Sequence, residues 1–124
     1  MIWAVIKVSA LDTNMMATPA PRGSLALTLI ELSKPVIAAV EGAAVTGGME
    51  LAMWCDIRVV AENAYFGVFC RRWVIPLSDG GAVRLPRLVG QGKVLEITMT
   101  GRKVSAQESY KIGLREKVVS VGDA

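Results

Sequence analysis

A chain of 124 residues with a net charge of +3 and 52% hydrophobic residues has room for one small packed domain and not for two. That composition excludes long disorder, and the charge is too weak to argue for a nucleic-acid partner. The absence of histidine removes histidine-based triads, imidazole metal ligands and the commonest general base. Two separated cysteines, Cys55 and Cys70, lie in apolar stretches outside any CxxC spacing. They read as buried thiols of a reducing compartment, and no metal site is expected.

In chain order, residues 2–8 (IWAVIKV) read as a buried strand. The opening decapeptide is apolar but short, carries Lys7 and lacks a basic start, so it does not fit a signal peptide. No run approaches ~20 uncharged apolar residues, so no transmembrane helix or membrane partner is expected. The location that follows is cytoplasmic, with a mitochondrial one left open. Residues 11–23 have a loop composition, with Pro19, Pro21 and Gly23. Ser24 can cap a helix running to about Leu32, which Lys34-Pro35 stops. Val36 to Val40 (VIAAV) is an apolar strand of the kind found inside parallel sheets.

After the pair Gly47-Gly48, residues 49–55 read as a helix and 56–61 (DIRVVA) as a strand. A short strand follows at 66–69, then a loop over 73–81. Two helices are predicted at 82–89, broken or kinked at Pro86, and at 94–100, closed by Gly101. Ser105-Ala106-Gln107-Glu108 is a capping box for a helix ending at Gly113, and 117–121 is a last strand. The alternation of strands and helices makes an α/β layered fold.

The informative stretch is VEGAAVTGGMELAMWCDI, residues 40–57. The first N–H groups of a helix lack partners and carry partial positive charge, and glycine lets a ligand approach them. Gly47 and Gly48 therefore make a seat for a phosphate or an oxyanion. Glu50 stands one turn into the helix. One reading has it capping its own helix start. The other notes that Met53 and Trp54, three and four residues on, are large and apolar. A carboxylate on that face is costly without a partner or a task, and burial raises its pKa toward proton-transfer use.

The run KPVIAAVEGAAVTGGMELAMWCDIRVVAENAYFGV, with DGGAVRLPRLVGQGKVLEITMTGRKVSAQESYKIGLREKVV after it, resembles the crotonase, or enoyl-CoA hydratase/isomerase, family over about residues 33–119. The resemblance implies a crotonase-like β-β-α spiral, here incomplete, with residues 1–124 forming a single partial domain. It implies an acyl-CoA thioester substrate, no cofactor beyond the CoA of that substrate, and a homo-oligomer built on trimers. It places Gly47 as an oxyanion-hole donor, with Gly48 beside it, and Glu50 as the first catalytic glutamate. The family's second glutamate falls at Cys70, whose thiol cannot shuttle a proton as a carboxylate does. Some relatives use an aspartate before a Gly pair instead. Asp79 lies in such a loop, one residue later, and its preferred reading is an Asx turn or helix cap ahead of the catalytic role. Ser9-Ala10-Leu11-Asp12 is the trace of a second oxyanion segment, with Leu11 N–H as its donor. Family domains are about twice this length, and a shortened spiral leaves apolar faces uncovered.

Arg71, Arg72, Arg84, Arg87, Arg102 and Lys103 read one by one as a solvated surface. As a group they could attract the phosphates of CoA. The SDGG loop lacks the Gly-Lys-Ser/Thr ending of a P-loop. Two functions stand after this reading. One is an acyl-CoA hydratase/isomerase working through an oxyanion-stabilised enolate. The other is an inactive relic that only binds acyl-CoA or associates with full-length relatives.

Overall fold

The structure, a computed structural model, describes residues 6–9 and 26–124. Two sheets and a set of helices form it. Strand β1 (Ile6–Ser9) runs antiparallel to β2 (Ile37–Val40), which runs parallel to β4 (Ile57–Ala61), which runs parallel to β7 (Lys117–Val119). The second sheet holds β3 (Ala43–Val45), β5 (Tyr65–Gly67) and β6 (Val104–Ser105) in the order β3-β5-β6.

Helix α1 spans Gly47–Trp54 and packs on β3 and on α2 (Gly81–Val89); α2 packs in turn on α3 (Gln91–Thr100). Helix α4 (Ala106–Lys111) lies against β5, β6 and β7. The chain thus makes β2, β3 and a helix, then repeats with β4 and β5. The second pair stacks parallel on the first, Ile37 opposite Ile57 and Ala43 opposite Tyr65. That repeat is one step of a β-β-α spiral, so the expected fold is present and partial.

The core forms where the inner faces of strands and helices meet. Ala38, Val40, Met49, Ala52, Val60, Phe66, Leu85, Ile97 and Leu114 are all buried. Strand β2 is apolar throughout, yet only alternate side chains are buried: Ile37 is exposed while Ala38 is not. Asp56 anchors the start of the sheet, its Oδ2 accepting from Val36 N at 2.7 Å. Buried Arg58 closes the end of α1, donating from Nη1 to Cys55 O at 2.7 Å, and pairs with Glu116 beside β7.

Several boundaries differ from the sequence reading. The segment expected to be a helix to Leu32 shows only a 3-10 turn at Ala26–Leu29 among its described residues. Its carbonyls serve tertiary donors instead: Thr28 O accepts from Arg84 Nη2 at 2.6 Å and Ile30 O from Trp54 Nε1 at 3.1 Å. A helix this short has little cooperative stability to resist them. Strand β3 was not expected; three residues between Gly42 and Thr46 are too few for a period to show. Phe69 leaves the predicted short strand and opens a 3-10 helix over Phe69–Trp73. Helix α2 runs through Pro86 as one element, forgoing a single backbone bond.

The capping box at Ser105 is half made. Ser105 Oγ accepts from Glu108 N at 3.1 Å, but the Glu108 carboxylate turns to Arg102, accepting at 2.8 and 2.6 Å.

Candidate functional site

Glu50 sits in the first turn of α1 and is 2% exposed. Its carboxylate does not turn back on its own helix. Oε1 accepts from the N–H of Asp79 and of Gly81, each at 2.9 Å. Those donors open α2, so Glu50 caps a neighbouring helix, where a negative charge meets the positive end of the macrodipole. The N-cap of α1 is Thr46, whose side chain makes no cap bond.

The SDGG loop is shaped for this grip. Gly80 is left-handed at φ 91°, which a side chain rarely adopts. A Cβ on Gly81 would stand 2.8 Å from both Cγ and Oε1 of Glu50, so only glycine brings its N–H that close. Arg84 steadies the loop from below, donating to Asp79 O at 2.8 Å while its other terminal nitrogen holds Thr28 O. The second glycine pair of the sequence is therefore part of the site. Its signal is the same as that of Gly47-Gly48, two glycines opening a helix, but the sequence reading weighed it through Asp79, as an Asx turn, a helix cap or a catalytic loop, and not through the glycine N–H.

Burial raises the pKa of Glu50 above 4.5; the N–H groups of Gly81 and Asp79 pull it down, and the Asp79 charge pushes it up again. Burial wins because two hydrogen bonds to one oxygen do not replace the lost hydration of a whole carboxylate.

Asp79 is itself buried, and Ser78 Oγ donates to its Oδ2 at 3.3 Å. It is not the cap of α2, since Gly80 holds that position. Its contribution to Glu50 is through its backbone N–H and its charge.

Cys70 lies in the 3-10 helix, 2% exposed. Burial chiefly pushes its thiol up, and the Glu50 charge adds to the shift. Cys70 also lines an open cleft of about 510 Å³ whose other walls include Val68, Val74, Ile75, Leu77 and Thr98.

Gly47 and Gly48 are buried at the start of α1. Ahead of them Thr46 holds φ 56° and ψ −123°, an unusual conformation for a residue with a side chain. Its N–H is tied to Gly67 O at 2.9 Å. This turn aims the first N–H groups of the helix along its axis. Leu11, the other expected donor, lies outside the described residues.

The basic group divides. Arg84 and Arg102 are spent on structure, Arg102 between Glu96 and Glu108. Arg72 stacks on Phe69 at 3.9 Å and donates to Gly101 O at 3.1 Å, and Lys103 stands over Tyr65 at 4.2 Å. Arg71 and Arg87 remain as exposed cations. Among the described residues no group of His, Cys, Asp and Glu could hold a metal ion, and no helix is long and apolar enough to cross a membrane.

Comparison with known proteins agrees with this geometry. The family model for enoyl-CoA hydratase/isomerase matches residues 14–123. The crotonyl-CoA hydratase of Syntrophomonas wolfei is 48% identical over 98 residues, covering 78% of this chain and 38% of the relative. A carnitinyl-CoA dehydratase of Salmonella paratyphi A is 46% identical over 101 residues, covering 81% and 39%. Among solved structures, an enoyl-CoA hydratase from Bacillus anthracis superposes with a TM-score of 0.69 at 48% identity, over 71% of this chain and 34% of that one. A monofunctional enoyl-CoA isomerase from Mycobacterium smegmatis gives 0.69 at 44% identity, over 80% and 46%. The chain thus spans less than half the length of these relatives. A matched segment of this extent, carrying the spiral step and the glycine-led helix, shows that the chain belongs to the enoyl-CoA hydratase/isomerase family.

Proposed function

We propose that this chain carries the oxyanion-binding and proton-transfer part of an acyl-CoA hydratase/isomerase, within a single partial domain spanning residues 1–124. The Gly47 N–H, with Gly48 beside it, receives the thioester oxygen as an enolate forms. One such donor contributes roughly 3 kcal/mol to a transition state. Glu50 moves a proton at the substrate α or β carbon. The observation that carries this reading is the double hydrogen bond to Glu50 Oε1, which fixes the carboxylate while burial keeps its pKa up. With Oε1 committed to positioning, Oε2 is the oxygen assigned the transfer.

Asp79 orients Glu50 through its backbone N–H and bears on it through its charge; Cys70 stands where the family's second glutamate is expected and lines the acyl end of the cleft. Arg71 and Arg87 are the cations left for CoA phosphates. Leu11 remains the assigned second oxyanion donor. The substrate brings its own CoA, so no further cofactor is invoked. A homo-oligomer would cover the exposed apolar surface, and a cytoplasmic setting suits two buried free thiols.

Cys70 also supports a second reading, a relic that binds acyl-CoA without turning it over, because a buried neutral thiol cannot replace a carboxylate. Acetoacetyl-CoA, whose β-keto thioester enolises readily, tests the binding shared by both readings. A ligand of the native state must raise the melting temperature as its concentration passes Kd. No shift at millimolar acetoacetyl-CoA would contradict both.

A further inference from the structure

Arg84 lies in the first turn of α2 and joins two segments that are distant in sequence. Its Nη1 donates to Asp79 O at 2.8 Å and its Nη2 to Thr28 O at 2.6 Å. Asp79 is therefore held from both sides, its N–H on Glu50 Oε1 at 2.9 Å and its carbonyl on Arg84. Next to it Gly80 turns at φ 91°, and a Cβ there would collide with Arg84 Nη1. The guanidinium fills the space that a side chain on Gly80 would need, and the backbone N–H of Arg84 donates to Gly80 O at 3.0 Å.

Thr28 in turn belongs to a segment tied back to α1. Ile30 O accepts from Trp54 Nε1 at 3.1 Å, and Trp54 is the last residue of α1. The hydrogen bonds thus close a circuit on one helix. It leaves the first turn of α1 at Glu50, passes through the N–H groups of Asp79 and Gly81, crosses Arg84 to Thr28, and returns through Ile30 to Trp54. The loop that grips Glu50 cannot shift against α1 without breaking a member of this ring. Arginine suits the crossing, because its planar fork holds two donors apart at fixed geometry and its charge strengthens both bonds. The grip on Oε1 sets the direction of Oε2, and a displacement of about 1 Å at a reacting group costs up to ~10²-fold in rate.

Resting on the assignment of Glu50 as the proton-transfer group, we propose that Arg84 is the positioning residue of that group, fixing its carboxylate by clamping the 79–81 loop to both ends of α1.

Exchange of butyryl-CoA α-protons with solvent deuterium, measured against substrate concentration, tests it in wild type, Glu50→Gln, Arg84→Met, Arg84→Lys and the double variant Glu50→Gln/Arg84→Met, each first shown to be folded by its melting transition. Arg84→Met should lower the saturated rate by about tenfold or more and leave the half-saturating concentration within about twofold, because what is lost is geometry at the reacting carboxylate and not binding. Added to Glu50→Gln, it should cost nothing further, whereas a merely structural role would lower both backgrounds by the same factor. Arg84→Lys keeps the charge but has one nitrogen in place of two, and should recover only part of the rate. If Arg84→Met does not fold, Trp54→Phe keeps the test: it removes the Nε1 bond to Ile30 O without touching the loop, and should lower the saturated rate in the same Glu50-dependent way. Equal rates in wild type and Glu50→Gln would remove the assignment of Glu50 and this inference with it. A Glu50-dependent rate that the Arg84 variants leave unchanged, that Arg84→Lys restores in full, or that Arg84→Met lowers equally in both backgrounds would overturn the positioning role alone.

Discussion

Glu50 is held where it is expensive to be charged. Its pKa is raised above 4.5, chiefly by burial, so the folded state binds its proton more tightly than the unfolded chain does. By linkage, the contribution of this group to stability is fully present below pH 4.5 and is lost as pH rises through the folded pKa. The Glu50→Gln variant keeps an oxygen able to accept from Asp79 and Gly81 but has no charge to bury. Denaturant titrations at pH 4.5 and pH 7.5 should show the variant gaining on wild type as pH rises, and equalling or exceeding it at pH 7.5. A variant that loses ground as pH rises would mean that the two N–H bonds, and not burial, dominate the carboxylate.

The choice between a cap and a working carboxylate was posed too narrowly by the sequence. Met53 and Trp54 correctly marked an apolar setting for Glu50. Nothing local could show that its partner lies 29 and 31 residues away.

At the scale of elements, two glycine-led helices meet through that carboxylate, and Gly81 is the close point. Gly81→Ala puts a Cβ 2.8 Å from the Glu50 carboxylate. Either the side chain or the loop must yield, at a cost of roughly 1–3 kcal/mol for overpacking or a lost bond. Gly92 in α3 provides the control, since a Cβ there meets nothing within 4 Å. Gly92→Ala should raise stability by about 0.5–1 kcal/mol through helix propensity alone. Thermal or chemical denaturation of both variants checks the pair, and equal effects would remove the argument from close approach.

Val74 closes the 3-10 helix at φ 58° while 94% exposed. A β-branched residue in that region costs about 1–2 kcal/mol. Val74→Gly should therefore be neutral or stabilising despite glycine's entropy, read as an unchanged or higher denaturation midpoint.

Strong local signals predicted strands β2 and β4, the helix after Gly47-Gly48, and Ser105 as a cap. The 3-10 turn at Ala26–Leu29 was hidden because Arg84 and Trp54, distant in sequence, take its carbonyls. The basic group was legible as charge but not as function, since Arg102 is consumed by Glu96 and Glu108. The burial of Arg115 left no trace in the sequence, and neither did the grip of its neighbour Glu116 on Arg58.

For the molecule as a whole, the parallel stacking of β2-β3 and β4-β5 leaves α1 with its N-terminal glycines beside the end of β5, and brings the opening of α2 onto Glu50. Trp73, Val74 and Ile75 form a consecutive exposed apolar segment next to the 3-10 helix carrying Cys70. Such surface is normally covered by another protein surface or by ligand, and it adjoins the cleft proposed for the acyl group.

If Glu50 is a working carboxylate at a thioester enolate, it controls loss of the substrate α-proton. Exchange of the α-protons of butyryl-CoA with solvent deuterium, followed by NMR in wild type and Glu50→Gln, tests it most directly. Exchange needs the enolate but neither hydration nor a second glutamate. Measurable exchange is expected in the wild-type chain, with a fall of about 10²-fold or more in Glu50→Gln, the usual share of one general base, and with the variant at least as stable at neutral pH. Equal exchange in both proteins, or none in a folded wild-type chain that binds acyl-CoA, would contradict it.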